Sequence, residues 1–365
     1  MKSYQSRSEK RCNFSEKCGG CDFLDLTEDD YQNLKKEDLE KSLFQLFESS
    51  PEFKAQAIKY CFIGPKSRRK ITLQIDSQNR LGFFAKKSNS LVEIDSCFIA
   101  EEKVSALILP LKKFIKSQES NLFTQASITL FDSCVELVLQ AKRELNFLQT
   151  QKFITFAKEH NLNISCQIKN QLTPIYLPHK NQIFYPDFKI DLSSEIFIQA
   201  TVKGLDKIIE IIRNFLVENK TIKNVADIYA GFGAYSFAIC DLAFVSAFEG
   251  SESMVELINK NAAANSLSHR IKALEKDLFQ DALTKKELEK FDLVIINPPR
   301  NGATPQITEI TKSKVKNVIY VSCNPRTFAF DAKILIDSGF KIKSLTALDQ
   351  FYASKHLELV TVFGR

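Results

Sequence analysis

From about residue 190 the chain alternates short apolar runs with helix-like stretches, and this pattern constrains the fold more than any other feature. The runs are "NVADIYA", "AFVSAFEG", "RIKALEKD", "FDLVIINPP", "NVIYVSC", "IKSLTAL" and "LELVTVFG". Between them lie "SMVELINKNAAANS" and "TFAFDAKILIDSG", which carry helical spacing. Buried strands separated by helices pack as a mostly parallel sheet with helices on both faces. The pattern therefore predicts an α/β, doubly wound, seven-stranded Rossmann-like sheet, whose ligands sit at the carboxyl ends of the strands.

Several chemistry-bearing residues fall at that edge. The first run enters Gly231-Phe232-Gly233, and the second ends at Glu249. In a nucleotide-binding βαβ unit such glycines let backbone approach the ligand, and an acidic residue at the second strand tip accepts from ribose hydroxyls. "INPPRNG" delivers Asn297 and Arg300, and "VSCNP" delivers Cys323. "LDQFYASKHLELV" adds Asp349, Phe351, His356 and Glu358. Read singly, Cys323 is a small core residue, Glu358 a surface carboxylate and His356 a structural histidine. Read together, a thiol and a carboxylate at one ligand edge form a nucleophile with an acid/base partner.

The remaining sequence divides in two. A chain of 365 residues exceeds one ordinary core, and the texture suggests an arm with a helix over 1–55, a β-rich region over 56–190 and the α/β domain over 191–365. The arm holds "CNFSEKCGGC", with Cys12, Cys18 and Cys21 in close succession. No signal peptide and no long apolar span are visible, so a cytosolic protein is expected, with no membrane association. In that compartment clustered thiols point to a metal rather than disulfides. Gly19 and Gly20 let backbone fold around sulfur, and Cys97 in "IDSCFIA" is the best fourth ligand, with Cys61 second. Spacing leaves zinc and an iron–sulfur cluster both open.

After the arm, Thr27–Phe47 reads as a helix capped by Thr27. Alternating segments "KITLQID", "RLGFFAK", "SLVEID", "SITLF" and "CVELVL" then read as strands. The densest basic cluster, "KSRRK", carries Lys66, Arg68, Arg69 and Lys70, with Lys86 and Lys87 on the next strand. It is either a solvated face or a grip on phosphates. The net charge of +6 is compatible with a polyanionic partner.

"NPPRNG", "VIYVSCNPRT" and "LDQFYASKHLE" resemble the signature segments of the S-adenosylmethionine-dependent RNA uracil-C5 methyltransferases, and "IFIQAT", "DIYAGFG" and "AFEGSE" match that family's cofactor segments in the same order. The resemblance covers the catalytic domain from about 190 onward and implies a class I methyltransferase fold. It makes Cys323 the nucleophile and Glu358 the base. It places Gln199, Tyr229, Gly231, Gly233, Glu249, Asp277 and Asn297 at the cofactor, and Arg300 and Phe351 beside a flipped uridine, while the basic cluster offers Arg68, Arg69 and Lys70 as phosphate contacts on the RNA. The cysteine cluster is similar to the [4Fe–4S] site of the large-subunit ribosomal RNA branch, which implies Cys12, Cys18, Cys21 and Cys97 as ligands and 23S rRNA as substrate. A monomer without an obligate protein partner is expected. Many members have Asp where this chain has Asn297; Thr201, Ala230, Ala234, Tyr352 and Ala353 also depart from common family residues. The alternatives are a tRNA uracil-C5 methyltransferase, a catalytically idle RNA-binding protein of the same fold, and an iron–sulfur oxidoreductase using a dinucleotide.

Overall fold

A computed structural model describes residues 11–49, 53, 57–169, 171–194 and 196–365. The first ten residues of the expected arm, and its end at residue 55, lie outside the described residues. Two large sheets organise the chain.

The carboxyl-terminal sheet has eight strands. In chain order they are β1 (Lys59–Phe62), β2 (Asn224–Ile228), β3 (Phe244–Glu249), β4 (Ile271–Glu275), β5 (Leu293–Ile296), β6 (Asn317–Ser322), β7 (Lys341–Asp349) and β8 (Glu358–Gly364). Their spatial order is β1-β7-β8-β6-β5-β2-β3-β4, with β8 antiparallel to its two neighbours and the other pairs parallel. All seven runs expected from the sequence are strands of this sheet. The eighth, β1, comes from the stretch expected in the β-rich region and pairs with β7. Four residues, "KYCF", carry too little periodicity to announce this long-range partner.

Helices cover both faces, as buried apolar strands require. Val202–Glu218 presents Leu205, Ile208, Ile212 and Leu216 to the core, and Thr201 caps it by accepting from the Gly204 N–H. On the opposite face Pro325–Asp337 buries Phe328, Ala332 and Leu335.

The second sheet spans Lys70–Tyr176 with seven strands, antiparallel except where Val135–Ala141 runs parallel to Leu162–Ile168. A parallel neighbour needs a crossover, here the helix Phe147–Glu159, whose Phe153 and Ala157 are buried. That helix and Ile108–Lys116 were not apparent in the β-like texture of the region. A hairpin, Asn181–Phe184 with Lys189–Leu192, packs Ile183, Ile190 and Leu192 into the core of the eight-stranded sheet.

The arm bridges the two sheets. Cys18 pairs with Ala85 beside the second sheet, and the N–H of Gly19 donates to Phe84 O. A side chain at Gly19 would stand 2.7 Å from that oxygen, so the close approach requires glycine. The N–H groups of Asp22 and Phe23 then both donate to Ala353 O in the β7–β8 loop. The helix Glu28–Ser42 follows, capped by Thr27 as expected, and its continuation to Phe47 is a separate helix, Phe44–Ser49. No helix among the described residues is long and apolar enough to cross a membrane.

Candidate active site

Cys323 follows β6 directly and precedes the helix Pro325–Asp337, whose cap is Asn324. It is half-buried at a strand end and a helix start, where the helix dipole favours a thiolate. Antiparallel pairing joins Ser322 of β6 to Leu359 of β8, so the next step of the register sets Cys323 against Glu358. The thiol senses the carboxylate. Burial and then the Glu358 charge push the Cys323 thiol up, while the Arg300 guanidinium, hydrogen-bonded to the sulfur, draws it down. Arg300 itself is exposed; its carbonyl accepts from Asn324 and Thr327.

Glu358 is 3% exposed, and burial raises its carboxyl to about 7. Such a carboxyl is poised to exchange a proton near neutrality. Its Oε2 accepts from Gln350 Nε2 at 2.9 Å. The same amide nitrogen donates to Gln199 Oε1 at 2.8 Å. Gln199 Nε2 reaches Tyr235 Oη at 3.3 Å, and Asn297 Nδ2 lies at 3.5 Å from that phenol oxygen. Three expected site residues are thus joined through two that the sequence reading did not single out, Gln350 and Tyr235. Both sit inside apolar surroundings, and no local pattern marks a buried polar partner.

The glycine loop shows the expected strand-end geometry. Tyr229, Gly231 and Gly233 have φ of 60°, 57° and 82°, the left-handed region that favours glycine. A side chain at Gly231 would meet nothing within 4 Å, so the turn opens onto free space. Glu249 holds the turn by accepting from the N–H groups of Gly231 and Ser251. Its remaining lone pairs can take hydroxyl donors. Asp277 is exposed and accepts from the N–H groups of Phe279 and Gln280, while the Tyr229 ring stands 5.3 Å from that of Phe279. Asp227, beneath the loop, is buried with its carboxyl raised to about 6 and accepts from Ser236.

A cavity of about 610 Å³ has Arg68, Lys70, Arg300, Phe351, Gln199 and Gln350 in its wall, whereas Cys323, Glu358 and the glycine loop do not line it. The Arg68 guanidinium lies 5.8 Å from the Phe351 ring centroid. Arg69 does not join them. It is 1% exposed, donates to Leu130 O and pairs with Asp132 at 3.0 Å, both at the end of the neighbouring strand of its own sheet. The expectation that it grips phosphate is corrected: its guanidinium is buried and held by Leu130 O and Asp132, which leaves it out of reach of an RNA backbone.

Cys12, Cys18, Cys21 and Cys97 line the same cavity, whereas Cys61 sits in β1 opposite Leu348. Burial, then the charges of Cys97, Cys18 and Cys12, push Cys21 up to about 12. The Gly20 N–H donates to Cys18 Sγ at 3.4 Å, and burial pushes the Cys97 thiol up against the opposing pull of the Ile99 and Ala100 N–H groups. The donor set is of the kind an iron–sulfur centre uses. Among the described residues, however, no three His, Cys, Asp or Glu side chains are gathered as a metal site.

The family model for tRNA (uracil-5-)-methyltransferase matches residues 35–364. The chain is 28% identical over 357 residues to an uncharacterized RNA methyltransferase of Caulobacter vibrioides, covering 95% of this chain and 84% of that protein. It is 29% identical over 370 residues to the 23S rRNA (uracil(1939)-C(5))-methyltransferase RlmD of Aeromonas salmonicida, covering 96% and 81%. Its fold is shared with the tRNA (uracil-54, C5)-methyltransferase of Pyrococcus abyssi, solved in complex with S-adenosyl-L-homocysteine, with a TM-score of 0.72, 21% identity and coverage of 95% and 86%. With a class I methyltransferase-like α/β fold and that match along nearly its whole length, the chain belongs to the tRNA (uracil-5-)-methyltransferase family.

Proposed function

We propose that the protein methylates C5 of a specific uridine in 23S ribosomal RNA, with S-adenosylmethionine as methyl donor. The observation that carries this reading is the register that sets Cys323 against Glu358 at the ligand edge of the sheet. The ribosomal substrate is supported by the relatives named for it and by the cysteine-bearing arm.

Uracil C5 is a poor nucleophile until C6 carries an added group. Cys323 Sγ adds to C6, and the C5=C6 electron pair moves into an enolate that makes C5 nucleophilic. S-adenosylmethionine, when bound, supplies the methyl group. Glu358 then takes the proton left on C5; the C5=C6 bond re-forms as the C6–S bond breaks and the thiolate departs. Arg300 stabilises that thiolate at both ends of the cycle. The open turn at Gly231 admits a nucleotide-like ligand, and Gln199, Tyr229, Gly233, Glu249, Asp277 and Asn297 surround it as the groups that would hold the cofactor. The target uridine must leave its stack to reach Cys323.

The RNA approaches over the cavity wall. Arg68, Lys70 and Arg300 meet phosphates, and Phe351 offers an aromatic face to a base. Replacing Arg68 and Lys70 with alanine should weaken matched and mismatched RNAs alike. The salt dependence of binding should fall by roughly 0.7 in slope per lost phosphate contact. Filter binding across a salt series reads this; an unchanged slope removes both residues from the interface.

On the same reading, Cys12, Cys18, Cys21 and Cys97 are the thiolates that would hold a [4Fe–4S] cluster joining the arm to the second sheet. Protein purified without air should contain iron and acid-labile sulfide in equal amounts, and Cys18→Ser should lose both. Stoichiometric zinc without iron contradicts the assignment.

The test of the function is a map of 5-methyluridine in total RNA from cells with and without the protein. Loss of one mark from 23S rRNA is expected. Loss from tRNA moves the substrate to tRNA, and no change in either makes the protein an RNA binder without this activity.

A further inference from the structure

Gln350 is the group on which the buried polar chain converges. It is 1% exposed, and its Nε2 donates to both Glu358 Oε2 and Gln199 Oε1. Two acceptors on one side define which end of the amide faces Glu358, since the flipped amide would set oxygen against oxygen at both. Its Oε1 is buried and has no hydrogen-bond partner among the described residues. A buried acceptor left unpaired costs stability, so the arrangement maintains the donor side at the expense of the other. Gly204 makes room for it: a side chain there would stand 2.5 Å from Gln350 Oε1 and 3.1 Å from its Cβ. Behind Gln350, the Gln199 amide is held by the Tyr235 phenol, which Asn297 also approaches. Burial, then the charge of Glu358, keeps that phenol protonated.

We propose that Gln350 is a positioning residue that holds the Glu358 carboxylate in place as a proton acceptor, and that Gln199 and Tyr235 in turn hold Gln350. The inference rests on the reading that Glu358 removes the C5 proton. The titratable groups facing Glu358 are Tyr235, from the helix after the glycine loop, and Cys323, from the end of β6, with Arg300 on the sulfur. Gln350 donates to Glu358, and this favours its ionised form against burial. Without the donor, Glu358 ionises only at higher pH. A consequence is that the residue touching neither the reacting carbon nor the methyl sets the pH at which elimination becomes fast.

The test uses Gln350→Met, which retains the volume and removes the donor, with Gly204→Ala as a second route to the same displacement. Formation of the covalent protein–RNA adduct is followed on denaturing gels, and its decay to 5-methyluridine is followed separately from pH 6 to 9. Adduct formation in Gln350→Met should stay within about threefold of wild type, while the midpoint of the decay profile moves up by about one pH unit, a tenfold slower decay below it. Gly204→Ala should shift the midpoint the same way. A purely structural role would slow formation and decay together without moving the midpoint, and that result overturns the proposal, as does an unshifted profile in a folded Gln350→Met protein. If wild type itself forms no adduct and no methylated product, the functional reading fails, a result distinct from a Gln350 variant that behaves as wild type.

Discussion

Cys323→Ala should yield neither a covalent RNA adduct nor 5-methyluridine, with a fall on the order of 10⁴-fold or more in turnover. Without sulfur at C6 the ring never gains a nucleophilic C5, and no other group at the strand edge can replace it. Glu358→Gln should fail later. The thiol still adds, but an amide cannot take the C5 proton, so a complex resistant to denaturation accumulates on labelled RNA. A fluorine at C5 of the target uracil should trap the wild-type protein at the same stage, because there is no proton to remove. The wild-type decay rate has a pH dependence with a definite sign. Glu358 must be ionised to accept a proton, and its carboxyl is held at about 7, so decay should slow about tenfold for each pH unit below that value and level off above it. Methylation by Cys323→Ala, or the absence of a lasting adduct with both Glu358→Gln and the fluorinated RNA, would return the thiol to the core.

Lys35→Met should lower stability by about 3–5 kcal/mol. Lys35 and Asp349 are both almost fully buried and pair at 3.1 Å, and Tyr31 Oη donates to the same carboxylate at 2.5 Å. Lys35 also donates to His356 O, and Tyr31 accepts from the Ala353 N–H. One face of the amino-terminal helix thus clamps both sides of the loop that leads to Glu358. Removing the ammonium strands a carboxylate in the interior, and this is costlier than replacing both partners. The double variant Lys35→Met with Asp349→Asn should recover most of the loss. Thermal unfolding measures the effect, with a shift on the order of 10 °C for the single variant. Limited proteolysis between Gln350 and Glu358 should show the loop loosened. A single variant as stable as wild type would mean that Asp349 is already neutral in the folded protein.

The strands of the eight-stranded sheet were legible because each is a short, nearly continuous apolar run bounded by turn residues, a pattern that depends on neighbours in sequence alone. The capped helix after Thr27 was legible for the same reason. β1 was not, since four residues owe their conformation to β7, far along the chain. The helix Phe147–Glu159 escaped because the flanking strands dominate the texture, although its Asn146–Gln149 capping box is a local signal that could have found it.

At the site, the sequence by itself determined the edge: strand order puts Gly231, Glu249, Asn297 and Cys323 at carboxyl ends, and the signature segments pointed to Glu358 as a partner for the thiol. The register of β6 with β8 supplied what those segments could not, the placement of the two residues across neighbouring strands. Tertiary structure alone decided which arginine of "KSRRK" faces the cavity, because Arg68 and Arg69 are equivalent in composition and differ only in the face they occupy. It alone brought the cysteine arm against the loop before Glu358. It alone built the chain from Glu358 through Gln350 and Gln199 to Tyr235, whose links join residues separated by up to 151 positions. Periodicity reports which face of an element is apolar. A buried hydrogen bond depends on two side chains meeting across the core, and that meeting exists only once the sheets and helices have packed.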